Sequence, residues 1–234
     1  MNILGIDTAA EVLNLAIINK GRIIVDYRIN TAGKTHSALI LPLFKNMLSF
    51  TEIELKTIAG VAVSIGPGSF TGLRIGLSTA KGIAFSLSIP IIGINTLESY
   101  AFKFIDLPGI LCPIIKARRG EYYYSTFYKK NNNLSIARNY QCAKWNEIKN
   151  DLLKYNNDVY VFGYGLRDIL EQEKVEKSKS IANINFVVHN YQDGNAANIA
   201  LMGEKRIIEK KYDDIYNLSP FYISQSAAEM NKTI

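Results

Sequence analysis

The residues best placed to do chemistry lie in one short stretch, Gly66-Pro67-Gly68-Ser69-Phe70-Thr71-Gly72, between an apolar run and a long helical one. A strand that turns through glycines into a helix aims backbone N–H groups at one point, where the helix dipole also favours an anion. Pro67 stiffens the loop, and Ser69 or Thr71 is placed to cap the helix. The spacing is neither Gly-x-Gly-x-x-Gly nor a loop closing in Gly-Lys-Ser/Thr. The loop therefore reads equally as an anion cradle, with Gly66, Gly68 and Ser69 around the ligand, or as a structural turn. Asp7 and Thr8 follow the apolar run Ile3–Ile6 and present a similar pair of alternatives. They are a carboxylate and a hydroxyl beside a bound phosphate, or an Asx turn closing a hairpin.

Other chemistries are poorly served. His36 and His189 are the only histidines, so a His-Glu-x-x-His metal pair is impossible and a metalloprotease is remote. Cys112 and Cys142 have neither metal-ligand spacing nor a disulfide framework, which fits a reducing compartment. Gly-x-Ser-x-Gly is absent. Gly163-Tyr164-Gly165 follows a strand where a second phosphate loop would carry an acid, and it has none. A phosphotransferase site is thus incomplete. Arg118-Arg119-Gly120-Glu121 reads as a charged hairpin turn, and the tyrosines after it (Tyr122, Tyr124) fit a half-buried strand better than a base-stacking platform.

The elements that hold these residues repeat. Ile3–Ile6, Val12–Ile18 and Ile23–Arg28 read as three strands with a turn at Gly21. A helix over Ser37–Leu48 follows, with Pro42 either near its first turn or kinking it. Strand Val61–Ile65, the glycine loop, a helix to Leu87, strand Ile91–Ile94 and a helix capped by Thr96 complete the half. After Asp106-Leu107-Pro108-Gly109, three more strands (Ile110–Ala117, Tyr122–Tyr128, Ser135–Cys142) open the same order again. The last helix begins at Ala196, with Asp193 or Asn195 as its cap. This doubled βββαβα order predicts an α/β chain of two related lobes, residues 1–106 and 107–234. Each is a mixed sheet with helices, as in the actin-like (ribonuclease H-like, ASKHA) architecture. It argues against a Rossmann fold, which would open βαβ. The C-terminal segment, with Pro220-Phe221-Tyr222, packs on the body or reaches toward a partner.

The helix after the glycine loop is unusual in carrying Gly72, Gly76 and Ala80 at intervals of four. Each glycine costs it roughly 1 kcal/mol relative to Ala. A face so bare admits another element closely, either from the same lobe or from a second subunit. Arg74 and Lys81 lie on another face.

Bulk properties bound the rest. The 234 residues are 48% hydrophobic, which excludes global disorder, and the net charge of +6 mildly favours anionic partners. No apolar run is long enough to span a bilayer, and the N-terminus lacks the features of a signal peptide, so a cytoplasmic location is expected.

Taken together, Ile3-Leu4-Gly5-Ile6-Asp7-Thr8, His36-Ser37, Leu41-Pro42, Gly66 through Gly76, Ala80-Lys81-Gly82 and Ala117-Arg118-Arg119-Gly120-Glu121 resemble the TsaB (YeaZ) family. The resemblance implies an actin-like subunit without its own catalysis and without a required cofactor. In this family it supports TsaD, which transfers a threonylcarbamoyl group to adenosine 37 of tRNA. It further implies a TsaD-like partner, a TsaE-like ATPase in the complex and a homodimer when alone. Contact with tRNA is then mainly through the complex, and adenine nucleotide is held weakly or at an interface, if at all. Carried over, the partner interface would comprise Leu39, Leu43, Gly72, Leu73, Arg74, Gly76 and Ala80. The chain departs from the family at Lys116, where Asp is usual before Ala-Arg-Arg-Gly, and at Tyr222-Ile223-Ser224, where Tyr-Leu-Arg is usual. Without the resemblance, Asp7 and the glycine loop leave an actin-like ATPase or small-molecule kinase as the alternative.

Overall fold

Strand β1 (Asn2–Asp7) is apolar on both faces, and Ile3, Leu4 and Ile6 are all fully buried, so it must lie in the middle of a sheet covered on two sides. It does. In this computed structural model, which describes residues 1–30, 36–131, 133–174, 180–188 and 195–223, β1 pairs antiparallel with β2 (Val12–Asn19) and parallel with β4 (Ile58–Gly66). Beyond β2 lies β3 (Arg22–Asn30), and beyond β4 lies β5 (Ile91–Asn95), giving the order β3-β2-β1-β4-β5. Helices α1 (His36–Thr51) and α2 (Phe70–Leu87) cover one face through Ile40, Phe44, Met47, Leu77, Ala80 and Ile83. Pro42 lies inside α1, beyond its first turn, and is exposed. A short 3-10 turn, Leu55–Thr57, leads into β4.

Helix α3 (Thr96–Lys103) follows β5. Its cap is Asn95, whose Oδ1 accepts from the N–H groups of Leu97 and Glu98, and not Thr96 as the sequence suggested. The cap residue stands outside the first helical residue, and here the strand runs on until Asn95 takes that place.

The second sheet repeats the first. Strands β6 (Ile110–Lys116), β7 (Glu121–Lys130) and β8 (Asn133–Lys144) form the meander, followed by α4 (Trp145–Leu152), β9 (Val159–Tyr164) and α5 (Leu166–Gln172). Strands β10 (Ser180–Ile181) and β11 (Ile184–Phe186) then give the order β10-β11-β9-β6-β7-β8. Read from β8 to β11, this is the first sheet's connectivity, with β10 as an unforeseen extra edge. Trp145, Ile148 and Leu152 of α4 and Leu166, Ile169 and Leu170 of α5 bury one face.

The chain divides into two compact units. One contains the described residues of Met1–Ser99 and Gln192–Phe221, and the other those of Tyr100–Tyr191 and Tyr222–Ile234. The first stretch thus ends before the division placed at 106/107. The chain also returns to its first unit for α6 (Ala196–Ile208), which an unbroken 107–234 lobe does not accommodate. The reason is packing. Ala196, Ala197, Ala200 and Gly203 give α6 a flat face that fits the side of the first sheet left uncovered by α1 and α2, against Ile3, Ala16, Ile18, Ala62 and Ile92.

After α6 the chain seals the β5 edge. The Asp213 N–H donates to Ile91 O (3.0 Å), the Gly93 N–H donates to Asp213 Oδ2 (2.8 Å), and Arg206 donates to Gly93 O (3.1 Å). Phe221 N–H reaches Ile65 O at 2.7 Å. The tail therefore packs on the body as far as Phe221, while Ser224 and the residues after it lie outside the described residues. Asp213→Ala removes the acceptor of the Gly93 N–H and is expected to cost about 1 kcal/mol in urea unfolding. An unchanged midpoint would show that the side chain does not seal this edge.

Candidate functional site

The end of β1, the glycine loop and the start of α6 converge in the first unit. Asp7 is only 1% exposed, and its Oδ1 accepts from the Ala9 N–H at 3.0 Å. This is the Asx turn among the two readings of the sequence. Ser64 of β4 and Asn195, just before α6, also hydrogen-bond the Asp7 carboxyl. Burial is the largest influence on it and holds its pKa above the usual carboxylate range, against the opposing pull of these hydrogen bonds and of His36. Asn195 in turn donates to Ser99 Oγ, and its Oδ1 accepts from Asn198 Nδ2 (3.2 Å) and from no backbone N–H of α6, so its side chain does not cap the helix. Asp193, the other cap considered, and His189 lie outside the described residues.

The glycine loop folds onto the same place. Gly66 and Gly68 adopt φ of 117° and 159°, and a Cβ on Gly68 would overlap the Ala9 carbonyl. A Cβ on Gly66 would meet the Phe221 carbonyl. Three N–H groups of this stretch are engaged within the chain: Ser69 N–H with Ala9 O (2.7 Å), Gly72 N–H with Ser69 Oγ (3.2 Å) and Leu73 N–H with Ser69 O (2.9 Å). Ser69, and not Thr71, is the α2 cap. Thus the structure brings Asp7, Thr8, Gly66, Gly68 and Ser69 together in a packed polar knot. An open cleft of about 410 Å³ lies elsewhere, along β3, lined by Asp26, Tyr27, Arg28, Ile29 and Leu43.

The bare ridge of α2 is filled from within. A Cβ on Gly72 would overlap the Thr8 carbonyl oxygen, and one on Gly76 would overlap Thr8 Oγ1. Gly72, Leu73, Gly76 and Ala80 are buried, and Leu39 and Leu43 are half-buried against the core. Of the residues carried over as a partner interface only Arg74 is exposed, with its guanidinium 3.8 Å from the Phe70 ring centre. The outward face of α2 is instead Thr71, Arg74, Ser78, Gly82 and Phe85. Of the two neighbours the glycines allowed, the same lobe is the one present.

Elsewhere the chemistry is quiet. Burial, with Glu121 adding to it, pushes the Cys142 thiol up to about 11, and burial also raises the Cys112 thiol. Among the described residues no cluster of His, Cys, Asp and Glu is placed to hold a metal ion, and no helix is long and apolar enough to cross a membrane.

Comparison with known proteins decides the family. Residues 30–232 match the profile described as TsaD, tRNA N6-adenosine threonylcarbamoyltransferase. The tRNA threonylcarbamoyladenosine biosynthesis protein TsaB of Bacillus subtilis is 30% identical over 233 residues, 98% of this chain and 96% of the relative. This chain belongs to the TsaB family. The TsaB protein of Escherichia coli is 34% identical over 136 residues, 57% of this chain and 58% of its own. The solved structure of YeaZ from Pseudomonas aeruginosa superposes with a TM-score of 0.75 at 18% identity, covering 94% of this chain and 99% of that one. It shares the actin-like fold of two mixed sheets flanked by helices.

The TsaB resemblance leaves one departure that the structure explains. Lys116, where Asp is usual, forms a 2.5 Å ion pair with Asp168 of α5, a position where an aspartate would be repelled. The sequence reading missed Ser64 and Asn195, which complete the knot around Asp7. Ser64 had a signal, as a hydroxyl inside the apolar run Val61–Ile65. Asn195 had none, because its contact with Asp7 spans the whole chain.

Two measurements test this site. Gly76→Ala forces a methyl group onto Thr8 and is expected to destabilise by roughly 1–3 kcal/mol; no loss in urea unfolding would mean that α2 stands farther from β1. For Asp7, a folded-state pKa above the unfolded one makes the folded chain bind more protons between the two values. Its contribution to stability therefore falls as pH rises from the unfolded pKa through the folded one. Asp7→Asn is expected to remove that fall, so the variant gains on the native chain as pH rises above the ordinary carboxylate value of 3.8. A difference constant across that range would refute it.

Proposed function

We propose that this chain is a non-catalytic partner subunit in the making of N6-threonylcarbamoyladenosine in tRNA, supporting a TsaD-type transferase. The observation that carries this is the relationship to a TsaB protein along nearly the full length of both chains. The packed state of the loop between Gly66 and Gly72 agrees with it, because N–H groups of this stretch are engaged by Ala9 and Ser69. No cofactor is required in this reading. An adenine nucleotide, where one binds, is held weakly or in an interface that another subunit completes.

The pairing surface is the outward side of α1 and α2. There α1 exposes Leu41, Pro42 and Phe50, with Phe50 81% accessible, and α2 exposes Ser78 and Phe85. Apolar side chains this open on neighbouring helices suit a helix-to-helix contact. The buried glycines act beneath that surface: they seat α2 on the sheet and so set the height of its outer face. The same surface serves a homodimer when the chain is alone, so the two assemblies compete by concentration. A TsaE-like ATPase joins the pair, and tRNA is engaged mainly through the complex.

The test is co-elution with the cognate TsaD-type subunit, with and without a TsaE-type ATPase and ATP. The native chain is expected to co-elute. Leu41→Glu with Ser78→Arg should abolish this while changing stability by no more than about 0.5 kcal/mol per site, as is usual for surface substitutions. Failure of the native chain to co-elute under any of these conditions, or vigorous ATP hydrolysis by the isolated chain that Asp7→Ala removes, would overturn the proposal.

A further inference from the structure

The positive charge of this chain is unevenly placed. The stretches forming the first unit contain twelve Lys and Arg against eleven Asp and Glu, and those forming the second contain fifteen against ten. Nearly all of the net +6 therefore belongs to the second unit. Within it, cations gather along one end of the sheet. Strand β6 ends at Lys116 and its neighbour β9 at Tyr164, with Arg167 in the first turn of α5. The β6–β7 turn carries Arg118 and Arg119, and β8 ends at Lys144, in register with Glu121 of β7. Ile115 pairs with Tyr164 and Lys116 with Tyr122, so these strand ends are level.

Arg118, Arg119, Lys144 and Arg167 are exposed, and among the described residues none of their side chains takes an ion pair or a hydrogen bond. Among the described residues no acid forms an ion pair with them. Asp168 is engaged by Lys116, and Glu121 is half-buried with its carboxylate 3.9 Å from Cys142 Sγ. Glu147 lies in the first turn of α4. The turn is rigid: Ala117 N–H donates to Glu121 O (2.9 Å) and Glu121 N–H to Arg118 O (3.1 Å). Its central residues Arg119 and Gly120 have φ of 57° and 74°. A tight hairpin turn with two positive φ values favours Asn, Asp or Gly at its first central position. An arginine there gives up local backbone preference and gains a cation on a fixed stem.

We propose that this end of the second sheet is a docking surface for the phosphate backbone of a folded RNA, which on the function proposed above is the substrate tRNA. Adjacent strands lie about 4.8 Å apart, so the ends of β9, β6, β7 and β8 span roughly 14 Å, and Arg167, Arg118, Arg119 and Lys144 are distributed along them. Phosphates follow one another at about 3.4 Å of rise along one strand of a duplex, so several fall within that reach. The aromatic residues at this end, Tyr122 and Tyr164, are buried or half-buried, which leaves no open ring for base stacking. The contact therefore reads backbone and not sequence.

The experiment measures fluorescence anisotropy of labelled tRNA against the full chain, alone and with its TsaD-type partner, across a salt series. Arg118→Ala is combined with Arg119→Asn, because Asn tolerates the left-handed position. Lys210→Ala with Lys211→Ala, in the first unit, is the charge-matched control. The arginine pair is expected to weaken binding about tenfold at low salt and to lower the slope of log K against log salt by about 1.4–1.8, one phosphate contact per arginine. The control should leave the slope unchanged. An unchanged slope in the arginine variant, or an equal loss in the control, overturns the proposal. So does loss of co-elution with the partner while tRNA binding persists, since the arginines would then meet protein. RNA binding by the isolated chain is read separately from co-elution, so failure of this inference and failure of the pairing are distinct results.

Discussion

The first unit depends on how closely α2 approaches the end of β1. The Thr8 carbonyl oxygen occupies the place where a side chain on Gly72 would begin, and Thr8 Oγ1 the place of one on Gly76. Two glycines in a helix interior cost roughly 1 kcal/mol each relative to Ala. The fold tolerates them because the approach lets Leu73, Leu77 and Ala80 sink fully against the sheet. The same approach draws the glycine loop onto Ala9 and closes it, since Ser69 cannot both cap α2 and stand away from the turn after β1. Of the three bonds at the α2 N-terminus, the one from Ser69 N–H to Ala9 O joins the helix to the end of β1.

How much of this was legible in the sequence follows from the range of each interaction. The doubled order of elements came from periodicity and turn residues, which are local, and both sheets carry it. Ser69 as one of two candidate caps was likewise readable, because strand, turn and helix leave few choices within ten residues. The direction of the glycine ridge was not. Spacing of four says that a face is bare and says nothing of what lies against it. The return of α6 was hidden for another reason. A helix flat with Ala196, Ala200 and Gly203 will cover any apolar sheet, and only the complete arrangement shows which sheet lacks a cover. The polar partners of Asp7 come from Ser64 and Asn195, on opposite sides of the sequence, and no local pattern links them.

The two edges of the first sheet are treated differently, and the difference has a physical basis. At β5 the segment after α6 supplies a backbone bond and a carboxylate through Asp213, and Arg206 of α6 supplies a guanidinium. At β3 the strand is lined by Arg22, Asp26 and Arg28, with Asp26 and Arg28 paired at 2.7 Å, although Ile23 and Ile24 are about half exposed. Charged side chains along an edge discourage a further strand from adding to it. With one edge covered and the other charged, helical surface is the more available route for association.

Two sheets of one connectivity have thus been put to different uses. In the first, the carboxyl ends of the central strands, where folds of this layered kind place ligands, are filled by the chain's own backbone and by the buried Asp7. In the second, β6 ends at Lys116, paired with Asp168, and the turn after it carries Arg118 and Arg119 in solvent. Here one end is packed shut, and charge and apolar surface have moved outward, onto helices and a hairpin. That distribution suits a protein whose work is done by what it holds and not by what it converts.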